Sequence, residues 1–441
     1  MDQEHLDPSV FNRLLAGVFS EDGSTEGQLF HLLVCEDCRR SFLTAHPEEG
    51  PLFLEQMLGD SQSWIHPQSN LTRDPVLQRE ILASTRLMEE LLGSKHARCL
   101  LMVRNLPRFQ LLPVAVACLN ESKRLFRVDP QESLEWADVA LAVLSSLPEG
   151  RYAEALVADF QARGWAYRAN ALRNRSSLDE ASEAFETAWR CFWQGSIVAA
   201  EWARIASLEA SLRRDQLRFQ EARSLLLDAI GIFRELGERR EEARLLVAKA
   251  HLAGEEGAVE EAARILQEVL GEFTRPELGD FLAYAALQSL SVSLVDLGRA
   301  TEARELFPQV QSLAEQGGER LILLDVDWLE GMICHAEGHH ALAETRYQEV
   351  RQAFLELDMP YDAVTVSLEL AVLYLETGRT SEVKALATEV LPIFRSRRIH
   401  RQAAVTGLVL IEALRQEAAT VERVQELVTY MRRSRGTNPT G

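Results

Sequence analysis

The chain has 441 residues, enough for two or three domains, and sets 47 Lys+Arg against 67 Asp+Glu for a formal charge of −20. A surface this acidic repels phosphate backbones, which argues against direct nucleic-acid binding by the chain as a whole and favours a partner with a basic patch. Hydrophobic residues at 46% exclude a disordered chain, and 14 prolines amid abundant Ala, Leu, Glu and Arg favour helices.

The N-terminal stretch MDQEHLDPSVF has no basic region followed by an apolar run, so no secretory signal is expected. No unbroken apolar window of bilayer length is expected further on, which points to a cytoplasmic protein with no membrane partner. Of the cysteines, Cys99, Cys118, Cys191 and Cys334 stand singly in apolar helical patterns, as reduced core thiols do. Cys35 and Cys38 are paired. With His31 they form H-x3-C-x2-C, a spacing that puts an imidazole and two thiolates on one face of a helix. Tetrahedral zinc is suited to such donors, and Arg39 and Arg40 favour the deprotonated thiols.

Here the sequence resembles the zinc-binding anti-sigma family of His-Cys-Cys zinc fingers. That pattern has an N-terminal histidine, a helix, a short acidic turn and a second helix ending in H-x3-C-x2-C. The matching elements are His5, DPSVFNRLLAG, SEDGSTEG and QLFHLLVCEDC. The resemblance implies that His31, Cys35 and Cys38 are zinc ligands, with His5 as the fourth and His46 as its rival. It also implies a sigma factor as a partner. It covers residues 1–43 only.

Residues 44–75, with HPEEGP, GDSQS and HPQSNLTRDP, have a linker's composition. VLQREILASTRLMEELLG, 76–93, then opens the main body as a helix, and residues 76–128 are read as N-terminal helices of a solenoid. A helix is predicted over 129–147 behind the Asp-Pro start at 129–130, and another over 152–172 after the turn PEG.

From residue 176 a phrase recurs: SSLDEA ending at Ala181, RFQEA at Ala222, GAVEEA at Ala262, GRATEA at Ala303, GHHALA at Ala343 and GRTSEV at Val383. The markers are 41, 40, 41, 40 and 40 residues apart. Gly257, Gly298, Gly338 and Gly378 stand five residues before the last four, where a left-handed residue can close one helix before the next begins. Each interval fits two amphipathic helices of roughly 15–18 residues. In the second helix Ala343, Tyr347, Val350 and Phe354 form one stripe, matched by Ala303, Phe307 and Val310, and by Ala262, Leu266 and Val269. A lone pair could not bury such a stripe, whereas stacked pairs share one core.

This pattern resembles tetratricopeptide repeats, with a period of about 40 in place of 34. The fold class expected is all-α: a right-handed superhelical solenoid of helical hairpins over 129–416, a capping helix over 417–434 and a tail over 435–441, with IHRQAAVTGLVLIEALRQEA, 399–418, and VERVQELVTYMRRS, 421–434, as the helices that cap the stack. The resemblance implies a scaffold that binds a peptide or protein on its concave face.

Other features are read as structural. Cys334, His335, His339 and His340 flank Gly338 at a turn between helices, where polar residues are expected, and are not read as a second metal site. Arg395, Arg397, Arg398, Arg401, Arg432, Arg433 and Arg435 are read as a solvated basic face. Trp136, Trp165, Trp189, Trp193, Trp202 and Trp328 are read mainly as core. No H-E-x-x-H, G-x-S-x-G, Walker or dinucleotide-binding phrase occurs, so no catalytic residue is nominated. The expectation is a non-enzymatic regulator of the anti-sigma kind, or a structural adaptor in which zinc only folds the N-terminus.

Overall fold

The computed structural model describes residues 6–15, 28, 32, 36–47, 49, 75–126, 128–357, 359–396 and 421–434. All regular structure among these residues is helical. The chain divides into two compact units, residues 1–242 and 243–441.

In the first unit, α1 (Pro8–Leu15) and α2 (Glu36–Ala45) face each other at the N-terminus. Phe11 and Phe42 meet edge to face there with centroids 5.4 Å apart, and both are buried. The body follows as α3 (Pro75–Leu92), α4 (His96–Asn105), α5 (Leu112–Leu125), α6 (Pro130–Ser145), α7 (Glu154–Asn174), α8 (Leu178–Gln194), α9 (Ala199–Asp215) and α10 (Phe219–Glu235). The expected start of α6 is present: Pro130 occupies its first turn, and Asp129 accepts the Glu132 N–H at 2.9 Å. Short turns fold successive helices back on one another, and their apolar stripes close around Phe109, Val114, Val139 and Phe160.

Several buried charges in this unit are paired. Arg163 of α7 clasps Glu201 of α9 with two bonds of 2.9 and 2.6 Å, and Arg173 reaches Asp215 at 2.6 Å. Glu80 of α3 accepts from the Arg151 guanidinium and from the Tyr152 hydroxyl at 2.6 Å. Breaking such a pair from one side costs more than the pair itself contributes, because the remaining charge stays buried.

Helix α11 (Arg239–Glu255) contains the division between the units. The second unit continues as α12 (Val259–Glu272), α13 (Arg275–Asp296), α14 (Ala300–Gly317), α15 (Arg320–Ala336), α16 (His340–Glu356), α17 (Pro360–Glu376), α18 (Thr380–Ser396) and α19 (Val421–Ser434). The expected helix over 399–418 lies outside the described residues.

The repeat markers all fall near the start of the second helix of a pair, and Ala181, Ala222, Ala262, Ala303, Ala343 and Val383 are all buried. Behind them Tyr347, Val350 and Phe354 are fully enclosed. A close approach is built into α15: a Cβ added to Gly331 would lie 2.9 Å from two ring carbons of Tyr347. Gly164 in α7 plays the same part against Leu141, again at 2.9 Å.

The turn glycines behave as expected, with φ of 87°, 71°, 80° and 73° at Gly257, Gly298, Gly338 and Gly378. Each is followed by an N–H that reaches back five residues, as from His339 to the Cys334 carbonyl at 2.8 Å, the bond that ends a helix in a Schellman turn. The two earlier copies keep the conformation without glycine: Ser176 and Leu217 both have φ of 61°.

Helix α13 is 22 residues long and, by length and composition alone, apolar enough to cross a membrane. Its apolar side chains Leu278, Tyr284, Leu287, Leu290 and Leu294 are core residues of the second unit. Gly279, at φ 69° and ψ 170°, breaks its helical path near the start.

Candidate functional site

Two places carry chemistry. At the N-terminus, Cys38 is buried on α2, and its Sγ accepts the Leu6 N–H at 3.3 Å. His5, His31 and Cys35 lie outside the described residues. His46, the rival fourth donor, sits half-buried with its ring 5.4 Å from that of Phe42.

The second place is a cavity of about 480 Å³ in the second unit. Its wall comes from the first helices of three consecutive pairs: Asp296 from α13, Met332 and His335 from α15, and Glu369 and Glu376 from α17. Repetition explains the convergence. His335 and Glu376 are 41 residues apart at the ends of equivalent helices, so stacking brings them together. Helix α19 closes the remaining side with Gln425, Val428 and Arg432. Under it, every residue of α17 from Tyr361 to Tyr374 is buried. An amphipathic helix leaves one face open, so full burial means that α19 covers the face that would otherwise meet solvent.

The cavity is polar and its charges are opposed. Arg432 sets Nη2 2.9 Å from Asp296 Oδ1 and Nε 3.2 Å from Glu369 Oε1. Burial works against the Arg432 cation, yet Glu369 and Asp296 together hold its pKa above the ordinary guanidinium value. Burial raises the Glu369 carboxyl above the usual carboxylate range, against the pull of Arg432. His335 Nε2 lies 2.8 Å from Glu376 Oε2, and Gln425 donates to the other oxygen of Glu376 at 3.0 Å. Tyr347 is enclosed behind them, and burial lifts its phenol well above its ordinary pKa.

Against the sequence expectations, Arg432 is not a solvated residue: its side chain is only 15% exposed, because two carboxylates from different helices enclose it. Neither Glu369 nor Asp296 was nominated, since a carboxylate inside a helical repeat has no local signature. Of the residues around Gly338, Cys334 faces inward and accepts from Arg304 Nη2 at 3.2 Å, and His339 is exposed. His335 and His340 turn toward Glu376. Trp136, Trp202 and Trp328 are buried, as expected of core residues.

Compared with known proteins, the chain matches no described family and no curated relative. It is similar to solved structures. A Rap protein complexed with Competence and Sporulation Factor is 13% identical with a TM-score of 0.56, over 74% of this chain and 89% of that one. The apo form of RapI is 11% identical with a TM-score of 0.51, over 72% and 86%. Aspartyl phosphate phosphatase F from Bacillus subtilis is 13% identical with a TM-score of 0.50, over 90% and 97%. At such identities the likeness concerns the fold. The chain has a tetratricopeptide-like fold of stacked helical hairpins.

Proposed function

We propose that this protein is a non-catalytic regulator that holds a peptide or protein partner on the first-helix face of its second unit. In this reading the zinc-bearing N-terminal module engages a sigma factor. The observation that carries it is the cavity under α19. Two repeats, through Asp296 of α13 and Glu369 and Glu376 of α17, aim carboxylates into one space that α15 between them lines with His335, and a helix already lies across it with a basic residue inserted. A surface that takes Arg432 from its own chain has the chemistry to take an arginine or lysine from another. The polar groups lining it are engaged in ion pairs with one another, which suits binding better than turnover. The Rap protein solved with Competence and Sporulation Factor supports the reading in one respect: a fold of this kind holds a second molecule.

For the N-terminal module, His5, His31, Cys35 and Cys38 are the proposed zinc ligands. The Leu6 N–H on the Cys38 sulfur supports this, since it brings the residue after His5 to a ligand sulfur and supplies the kind of outer-shell hydrogen bond that orients a zinc thiolate. Zinc there would fix a module too small to hold itself together.

Co-purification from the source cells tests both halves. The regulator predicts recovery of a sigma factor, lost on deletion of residues 1–46. Protein purified without chelators is expected to carry about one tightly held zinc, lost in a Cys35→Ser/Cys38→Ser variant. Recovery of an unrelated assembly through the repeats alone, with the deletion making no difference, would instead favour the adaptor.

A further inference from the structure

The geometry points to a divalent-metal site, independent of the N-terminal cysteines, formed by His335, His340 and Glu376 at the turn between α15 and α16 and the end of α17. One donor atom from each residue lies within 4.8 Å of the others. The Nδ1 of His340 is buried with no hydrogen-bond partner among the described residues, an expensive arrangement for a ring nitrogen unless something else occupies its lone pair or proton.

The surroundings are those of a supported site. Gln425 holds Oε1 of Glu376, leaving Oε2 for the ion. The Tyr347 hydroxyl stands 3.5 Å from His335 Nδ1, which directs the other ring nitrogen, Nε2, at the same point. Residues 335 and 376 fall in the last turns of α15 and α17, where helix C-termini favour a cation.

Two imidazoles and one carboxylate with an open fourth position suit Zn²⁺, or Co²⁺ as its spectroscopic stand-in. In its absence His335 Nε2 and Glu376 Oε2 share a hydrogen bond of 2.8 Å. The metal takes the place of the hydrogen between them, which leaves to solvent or, through solvent, moves to His335 Nδ1 as the ring changes tautomer. Ligand bonds of about 2.0–2.2 Å require the donors to close by side-chain rotation alone.

The full-length chain, its N-terminal site already loaded with zinc, is titrated with Co²⁺ and Zn²⁺. The expected result is one further equivalent bound at micromolar concentration. Its cobalt spectrum should show the intense visible d–d bands of four-coordinate Co²⁺ and no thiolate charge transfer. His340→Ala and Glu376→Gln should each weaken that equivalent by at least about tenfold, with helicity unchanged and with His339→Ala as an inert control. No further equivalent in the wild type, its retention in His340→Ala, or a thiolate band on the added cobalt would each overturn the assignment.

Discussion

A left-handed turn residue closes each of the last four hairpins, and two earlier copies achieve the same φ with a side chain attached. Leu217, at φ 61° and half exposed, gains little by packing to offset its steric strain. The left-handed conformation costs a residue with a Cβ roughly 1–2 kcal/mol, and glycine returns part of the gain as unfolded-state entropy. Leu217→Gly is therefore expected to stabilise the first unit by about 0.5–1 kcal/mol, whereas Leu217→Ala keeps the strain and gains nothing. Thermal melts of the three proteins check the order, and a glycine variant no more stable than wild type would refute it.

Asp228 on α10 is the second case at this scale. Burial lifts its pKa from 3.8 to about 6. The folded state thus binds this proton more tightly than the unfolded chain does. The resulting stability is complete below about pH 3.8 and is lost as pH rises through about 6. Asp228→Asn should then raise the melting temperature at pH 7.5 and leave it nearly unchanged at pH 3.5. A gain of equal size at both values would show that the carboxyl is not the cause.

Among the elements, α19 shows most clearly what a repeat sequence reveals and what it conceals. Its helical span, 421–434, was legible because caps and apolar spacing are local, and so were the marker stripes of α12, α14 and α16. Its seat on α17 was not. The basic run at the chain end predicts a solvated face on composition, and only the fold supplies Asp296 and Glu369, from two other helices, as partners for Arg432. Removing one side of this triad exposes the difference. Arg432→Met should destabilise the second unit by about 3 kcal/mol, because two carboxylates lose their counter-charge in a buried place. Adding Glu369→Gln and Asp296→Asn should recover most of that loss. A denaturation cycle over the four combinations gives the coupling; strictly additive losses would mean that the ion pairs contribute nothing beyond packing.

At the scale of the whole chain, periodicity carried the fold while chemistry stayed hidden. The spacing of 40 to 41 residues announced hairpins before any contact was known. The same spacing set His335 over Glu376, a pairing invisible to motif reading because its members belong to different copies and look like ordinary turn residues. Net charge is the one whole-molecule property that sequence states outright, and it makes its own prediction. With a formal charge of −20 and carboxylates gathered in the cavity under α19, association with the basic partner proposed above is expected to be steered by long-range attraction. Raising the salt from about 0.1 M to about 1 M shortens the screening length from roughly 10 Å to 3 Å. The association rate should fall by about tenfold or more over that range, with a smaller change in dissociation. A salt-independent association rate would mean that the partner docks through apolar contacts, and that the acidic field serves only to keep nucleic acid and other polyanions away.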